Sequence, residues 1–237
     1  MSRLRLLLLS VLFAALPVAA FVALPVAAVV SQPPAPGNFL EMLRPGGYVI
    51  VLRHGATTSD AAIDPMRDPG KTPAGERELS ISGRAQARSI GRALHELKIP
   101  VSLVMTSPQQ RAVDTATLLD VGDVTTKANL AEADAAVSVE ESYRRAAALR
   151  ALVSHRPPTG NNLVIVTHKP NLVQAFGRDW SDVREGEAAV FEPNFTGTGY
   201  RLVARIQPDE WQMIVQASHE EELTQAPYCS PRKLPRS

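Results

Sequence analysis

The sequence predicts an α/β fold, a three-layer α/β/α sandwich with helices on both faces of a mainly parallel sheet. Two observations carry this. Short charge-free runs rich in Val and Ile, such as residues 48–52 (YVIVL) and 163–166 (LVIV), read as strands buried on both faces. Amphipathic stretches of helical length separate such runs, which is the pattern of βαβ units. With 237 residues, 45% apolar and 21% charged, the chain can bury one sizeable core.

Taken in order, residues 1–5 are basic (Arg3, Arg5), and residues 6–30 are apolar apart from Ser10. A basic start ahead of an apolar run is an export pattern. The repeated LPVAA at 16–20 and 24–28 ends in small residues that a signal peptidase accepts. The apolar run is also long enough to cross a bilayer of roughly 30 Å. Residues 1–30 are therefore expected to be a signal peptide or signal anchor. The protein is expected in the periplasm or cell envelope, held to the membrane through residues 6–30 if they are not removed. Residues 31–38 (SQPPAPGN) form a proline-rich linker. Residues 39–216 make the folded domain, and the polar, proline-containing 217–237 a loose tail.

Within the domain, residues 82–97 read as an amphipathic helix capped by Ser82, with Ala85, Ile90, Ala93, Leu94 and Leu97 on its apolar face. A strand at 101–105 leads through Ser107 and Pro108 into a helix ending near Leu119. Residues 138–153 are helical, 163–166 a strand, and Pro170 lies near the start of a further helix. Residues 188–191, 200–206 and 211–215 close the domain as strands.

Three strand ends share one grammar: an apolar run, then polar or cationic residues, then a turn or helix start. The first ends Leu52-Arg53-His54-Gly55. The second ends Met105-Thr106-Ser107-Pro108, with Arg111 just beyond. The third ends Val166-Thr167-His168-Lys169-Pro170. In open α/β sheets the ligand crevice lies beyond the carboxyl ends of the strands. If the strands are parallel, Arg53, His54, Arg111 and His168 converge on one edge as an anion site. Guanidinium forks match phosphate oxygens, and a neutral imidazole is a competent nucleophile toward phosphorus. Gly55 lets the chain turn sharply beside His54. His95, His155 and His219 have no evident partner.

Composition excludes other classes. A net charge of +1 gives no global field toward nucleic acid. The single Cys229 rules out an internal disulfide and a cysteine-based metal site. No Asp/Glu/His cluster has metal-ligand spacing, so the site reads as free of metal and cofactor.

Four blocks resemble the histidine phosphatase superfamily, branch 1, the phosphoglycerate mutase-like group. They are LRHG at 52–55, LSISGRAQA at 79–87, TSPQQRAVDTA at 106–116 and VTHKPN at 166–171, in the family's order. The resemblance implies a phosphoglycerate mutase-like fold, a transient phosphohistidine on His54, and phosphoryl binding by Arg53, Arg111 and His168 without metal. It also implies a carboxylate proton donor. Glu132 is the nearest candidate, with Asp134 and Asp60 as rivals. The segment 56–60 departs from the mutase pattern, so the phosphate-binding role of that segment is not carried over to Asp60. The polar loop 59–78 offers Arg67, Lys71 and Arg77 to a second anionic group, or is a solvated surface loop. The expected activity is hydrolysis of a phosphorylated small molecule or an envelope phosphate ester. A silent anion-binding domain and a mutase-type phosphotransferase are the alternatives.

Overall fold

A six-stranded sheet in the order β3-β2-β4-β1-β5-β6 organises the chain. Its strands are β1 (Val49–Arg53), β2 (Val101–Thr106), β3 (Asp123–Thr126), β4 (Asn162–Thr167), β5 (Ala188–Pro193) and β6 (Tyr200–Ile206). Strands β3, β2, β4 and β1 run parallel, and β5 and β6 continue the sheet antiparallel. The helices are α1 (Pro36–Leu43), α2 (Ile81–Glu96), α3 (Gln110–Leu119), α4 (Val139–Ser154), α5 (Lys169–Phe176) and α6 (Glu210–Gln225). The structure, a computed structural model, describes residues 36–58, 77–133, 137–194 and 199–225. The expected export segment 1–30, Asp60, Arg67, Lys71, Asp134 and Cys229 lie outside the described residues. Among the described residues no helix is long and apolar enough to cross a membrane.

Strand alternation builds the three expected layers. Ile50 and Leu52 of β1 point into one core with α1, α2, α3 and α6, while Val49 and Val51 point into a second with α4 and α5. The parallel register sets the strand ends level: Leu52 and Thr106 both lie beside Val166, and Arg53 beside Thr167. Backbone bonds prolong this alignment past the strands. His54 N–H donates to the Thr167 carbonyl at 3.0 Å, and Ser107 N–H to the Val166 carbonyl at 3.0 Å. The three strand ends therefore share one edge.

Several local expectations are corrected. Helix α2 is capped by Ser80, not Ser82. The extended backbone of Ser80 lets its hydroxyl accept the Gly83 N–H at 3.0 Å, so the helix starts at Ile81. Its buried face takes Ala87 and leaves Ala85 exposed. Residues 211–215, read as a strand, belong to α6, which runs to Gln225, beyond the expected domain end at residue 216. The buried Trp211 and Val215 stand four apart, the repeat of a helical face, and a run of five residues is too short for periodicity to decide. Helix α1 starts at Pro36, inside the expected linker; a proline suits a first helical position because its missing N–H has no partner there. Strand β3 has every residue exposed and no apolar signature, so composition could not reveal it.

Candidate active site

His54 leaves β1 at the shared edge and is 1% exposed. Its Nδ1 lies 2.8 Å from the Gly55 carbonyl oxygen, which can only accept. The proton therefore sits on Nδ1, and Nε2 keeps its lone pair. Burial lowers the pKa from its ordinary 6.5 to about 3; the Gly55 bond opposes this, and the charges of Arg111, Arg53 and Arg77 add to it. His54 is thus neutral at neutral pH. The Gly55 N–H donates to Thr115 Oγ1 of α3 at 3.0 Å, which ties the turn to that helix.

His168, fully buried, faces it with ring centroids 5.2 Å apart. Its Nδ1 is 3.3 Å from an Arg111 nitrogen and must accept, because a guanidinium only donates. Nε2–H then donates to Ser107 Oγ at 2.7 Å, and that hydroxyl donates to the Gln109 side-chain carbonyl. Burial, then the neighbouring His54, Arg111, Arg77 and Arg53, hold His168 down to about 2. Two neutral imidazoles among arginines leave the site cationic only through its guanidinium groups.

Both expected arginines are there, each with a carboxylate. Arg53 donates to Glu185 at 3.2 Å and to the Val183 carbonyl at 2.8 Å; burial lowers its pKa, with Glu185 opposing. Arg111, 3% exposed, pairs with Glu132, not with Asp114, which is taken by Arg84 and Gln110. The Nε–H groups of Arg53 and Arg111 are buried without a partner among the described residues. Glu132 is held from behind: Arg145 donates to its carbonyl at 2.7 Å, and Asn171 bonds both neighbours, Ala131 O at 2.8 Å and Ala133 N at 3.1 Å.

A cleft of about 440 Å³ opens on this group, lined by Arg53, His54, Arg77, Glu132, Ser142, Lys169 and Gln174. Arg111 and His168 stand behind that lining. The structure therefore brings together Arg53, His54, Arg111, His168 and Glu132. Ser107, Thr115, Asn171 and Glu185 were missed as supports. Ser107 and Asn171 sit inside the quoted sequence blocks, whereas nothing local marks Glu185, 132 residues from Arg53. His95, read as without a partner, bonds the Asp120 carbonyl at 2.6 Å, away from the site. Among the described residues no group of three or more His, Cys, Asp or Glu could hold a metal ion.

Residues 49–143, from β1 into α4 and including His54, Arg111 and Glu132, match the histidine phosphatase superfamily (branch 1). Over that segment the chain is similar to the family. No curated protein matches this chain. Several solved structures are similar to it. The protein histidine phosphatase SixA complexed with tungstate is 18% identical, with 69% of this chain and 98% of that one covered and a TM-score of 0.48. A phosphoserine phosphatase from Entamoeba histolytica is 15% identical, with 68% and 96% covered and a TM-score of 0.47. The mycobacterial glucosyl-3-phosphoglycerate phosphatase is 18% identical, with 66% and 97% covered and a TM-score of 0.46. Likenesses this distant carry no argument about substrate.

Proposed function

We propose that this protein is an exported histidine phosphatase that hydrolyses phosphomonoesters without metal, through a phosphohistidine on His54. The observation that carries the reading is the pair of buried, unpartnered Nε–H donors on Arg53 and Arg111, beside an imidazole with a free Nε2 lone pair. Buried donors need acceptors, and a phosphoryl group brings several.

The His54 Nε2 lone pair attacks phosphorus, and the ester P–O bond breaks toward the leaving oxygen. That oxygen takes a proton from Glu132, which gains that proton from solvent once the phosphate has displaced its carboxylate from Arg111. Water then attacks the phosphohistidine, passes a proton to the Glu132 carboxylate, and the P–N pair returns to Nε2. Arg53 and Arg111 hold the phosphoryl oxygens and stabilise their charge in both steps, and His168 joins them by turning its one N–H from Ser107 Oγ to an oxygen. In the free enzyme Glu132 holds the place of a phosphoryl oxygen on Arg111. An arriving phosphate takes that place and releases the carboxyl group toward the leaving oxygen.

The test is hydrolysis of para-nitrophenyl phosphate in excess EDTA, beside His54→Ala. Turnover that survives chelation and disappears in the variant is expected, with acid-stopped labelling of the wild type only. Activity retained in His54→Ala would sink the mechanism, and no activity in either protein would favour a silent anion-binding domain. Export rests on the basic start and the apolar residues 6–30. A fusion of residues 1–40 to a reporter active only outside the cytoplasm is expected to score as exported.

A further inference from the structure

We propose that the substrates carry a second anionic group, and that Lys169, with Arg77, binds it in the cleft beyond His54. This rests on the reading above, that His54 receives the phosphoryl group.

The cleft volume of about 440 Å³ lies within the range of roughly 300–1,000 Å³ usual for small-molecule sites, more than one phosphoryl group occupies. Four charged residues line it: Arg53, Arg77, Lys169 and Glu132. Two of these are matched within the protein, Arg53 by Glu185 and Glu132 by Arg111. Lys169 and Arg77 have no hydrogen-bond or ion-pair partner among the described residues. Among the described residues, Lys169 and Arg77 are therefore two lining cations left without a protein anion. Arg77 is close enough for its charge to be felt at both His54 and His168.

The position of Lys169 strengthens the point. It is the first residue of α5, where the helix dipole opposes a cation. A lysine there works against its own helix unless an anion comes to it. Lys169, Pro170, Val173 and Gln174 form one face of α5 along the cleft, with Ser142 of α4 also in the lining. An extended small molecule with its phosphoryl group at His54 would lay its second charge on Lys169, and Gln174 and Ser142 add neutral donors. A carboxylate and a second phosphate satisfy this chemistry equally.

Two matched pairs separate the possibilities. Glycerol 3-phosphate and 3-phosphoglycerate differ by a carboxylate; fructose 6-phosphate and fructose 1,6-bisphosphate differ by a phosphate. Steady-state kinetics and calorimetric titration of the full chain are expected to favour the doubly anionic member of at least one pair by roughly tenfold, the worth of one charge-assisted contact. Lys169→Ala should bring that ratio toward one through KM, Lys169→Arg should keep it, and Arg77→Ala should reduce it. The Lys169→Ala protein should unfold at the same temperature or higher, because a cation has left a helix N-terminus. Ratios near one for both pairs in the wild type, or a ratio unmoved by Lys169→Ala, would overturn the proposal. If no ester is turned over, the phosphohistidine reading fails, while the preference in titration still decides the second-anion site.

Discussion

Glu132 pairs with Arg111, and as the proposed proton donor it would also have to reach the leaving oxygen, two demands that cannot be met at once. Its backbone is fixed by Arg145 and Asn171, so only the side chain has to turn. In Glu132→Gln, kcat for an alkyl phosphate is expected to fall about 10²-fold or more, the usual worth of general acid–base catalysis. The loss with para-nitrophenyl phosphate should be much smaller, because that leaving group departs without a proton. Equal losses on both substrates would assign Glu132 to holding Arg111 instead. The pH profile belongs to the same scale. His54 keeps its lone pair above its pKa of about 3, so the free enzyme gives kcat/KM no His54 break near 6.5. Any acid limb near about 6 is expected to follow the second ionisation of the substrate phosphate. Profiles of two esters with different phosphate pKa values check this: a break fixed near 6.5 for both would contradict the neutral, buried His54.

Among the elements, the contact between α2 and the turn after β1 decides how firmly His54 is held. Ser80 caps α2 and also donates to the Ala56 carbonyl at 3.1 Å, while Gln86 accepts the Ala56 N–H at 3.1 Å. Backbone meets backbone there. A Cβ on Gly55 would stand 2.8 Å from the Gly83 carbonyl oxygen, and one on Gly83 would run into the Ala56 carbonyl. Gly83→Ala must push α2 off the turn, at a cost of about 1–3 kcal/mol as an overpacked contact. Denaturant unfolding should show that loss, and kcat should fall with it because the His54 turn moves. Full activity at wild-type stability would mean that α2 does not position the nucleophile.

At the scale of the whole molecule, each face of the sheet carries its own core. The face under α1, α2, α3 and α6 includes Trp211, fully buried and 6.4 Å edge-on from Phe39. That contact joins the last described helix to the first. Trp211→Ala is expected to cost about 3–5 kcal/mol through lost burial and the cavity left behind. Thermal unfolding would report it, and residual activity of the folded fraction should stay close to wild type, since α6 contributes no residue to the cleft. The other face places α4 and α5 beside the cleft, so specificity is carried where the chain can vary without disturbing the larger core.

Much of this was legible in the sequence because it is written in short-range patterns. Buried parallel strands must be apolar throughout, so β1 and β4 announced themselves, and the polar residues just after them marked one edge. His54, Arg53, Arg111 and His168 were found that way, and Glu132 through family likeness. Other features depend on partners distant in sequence. Glu185 behind Arg53 and Arg145 beneath the Glu132 loop have no local signal, because an ion pair or hydrogen bond leaves no periodicity in the chain. The exposed β3 and the start of α1 at a proline were hidden for a similar reason: pairing and burial made them, not composition. Residues 211–215 read equally well as strand or helix until the core supplied a face for Trp211 and Val215 to share. The sequence alone determined which residues could do the chemistry, because side-chain type and strand period are local. Only the tertiary structure decided what each of them touches, because burial and charge pairing are properties of neighbours in space.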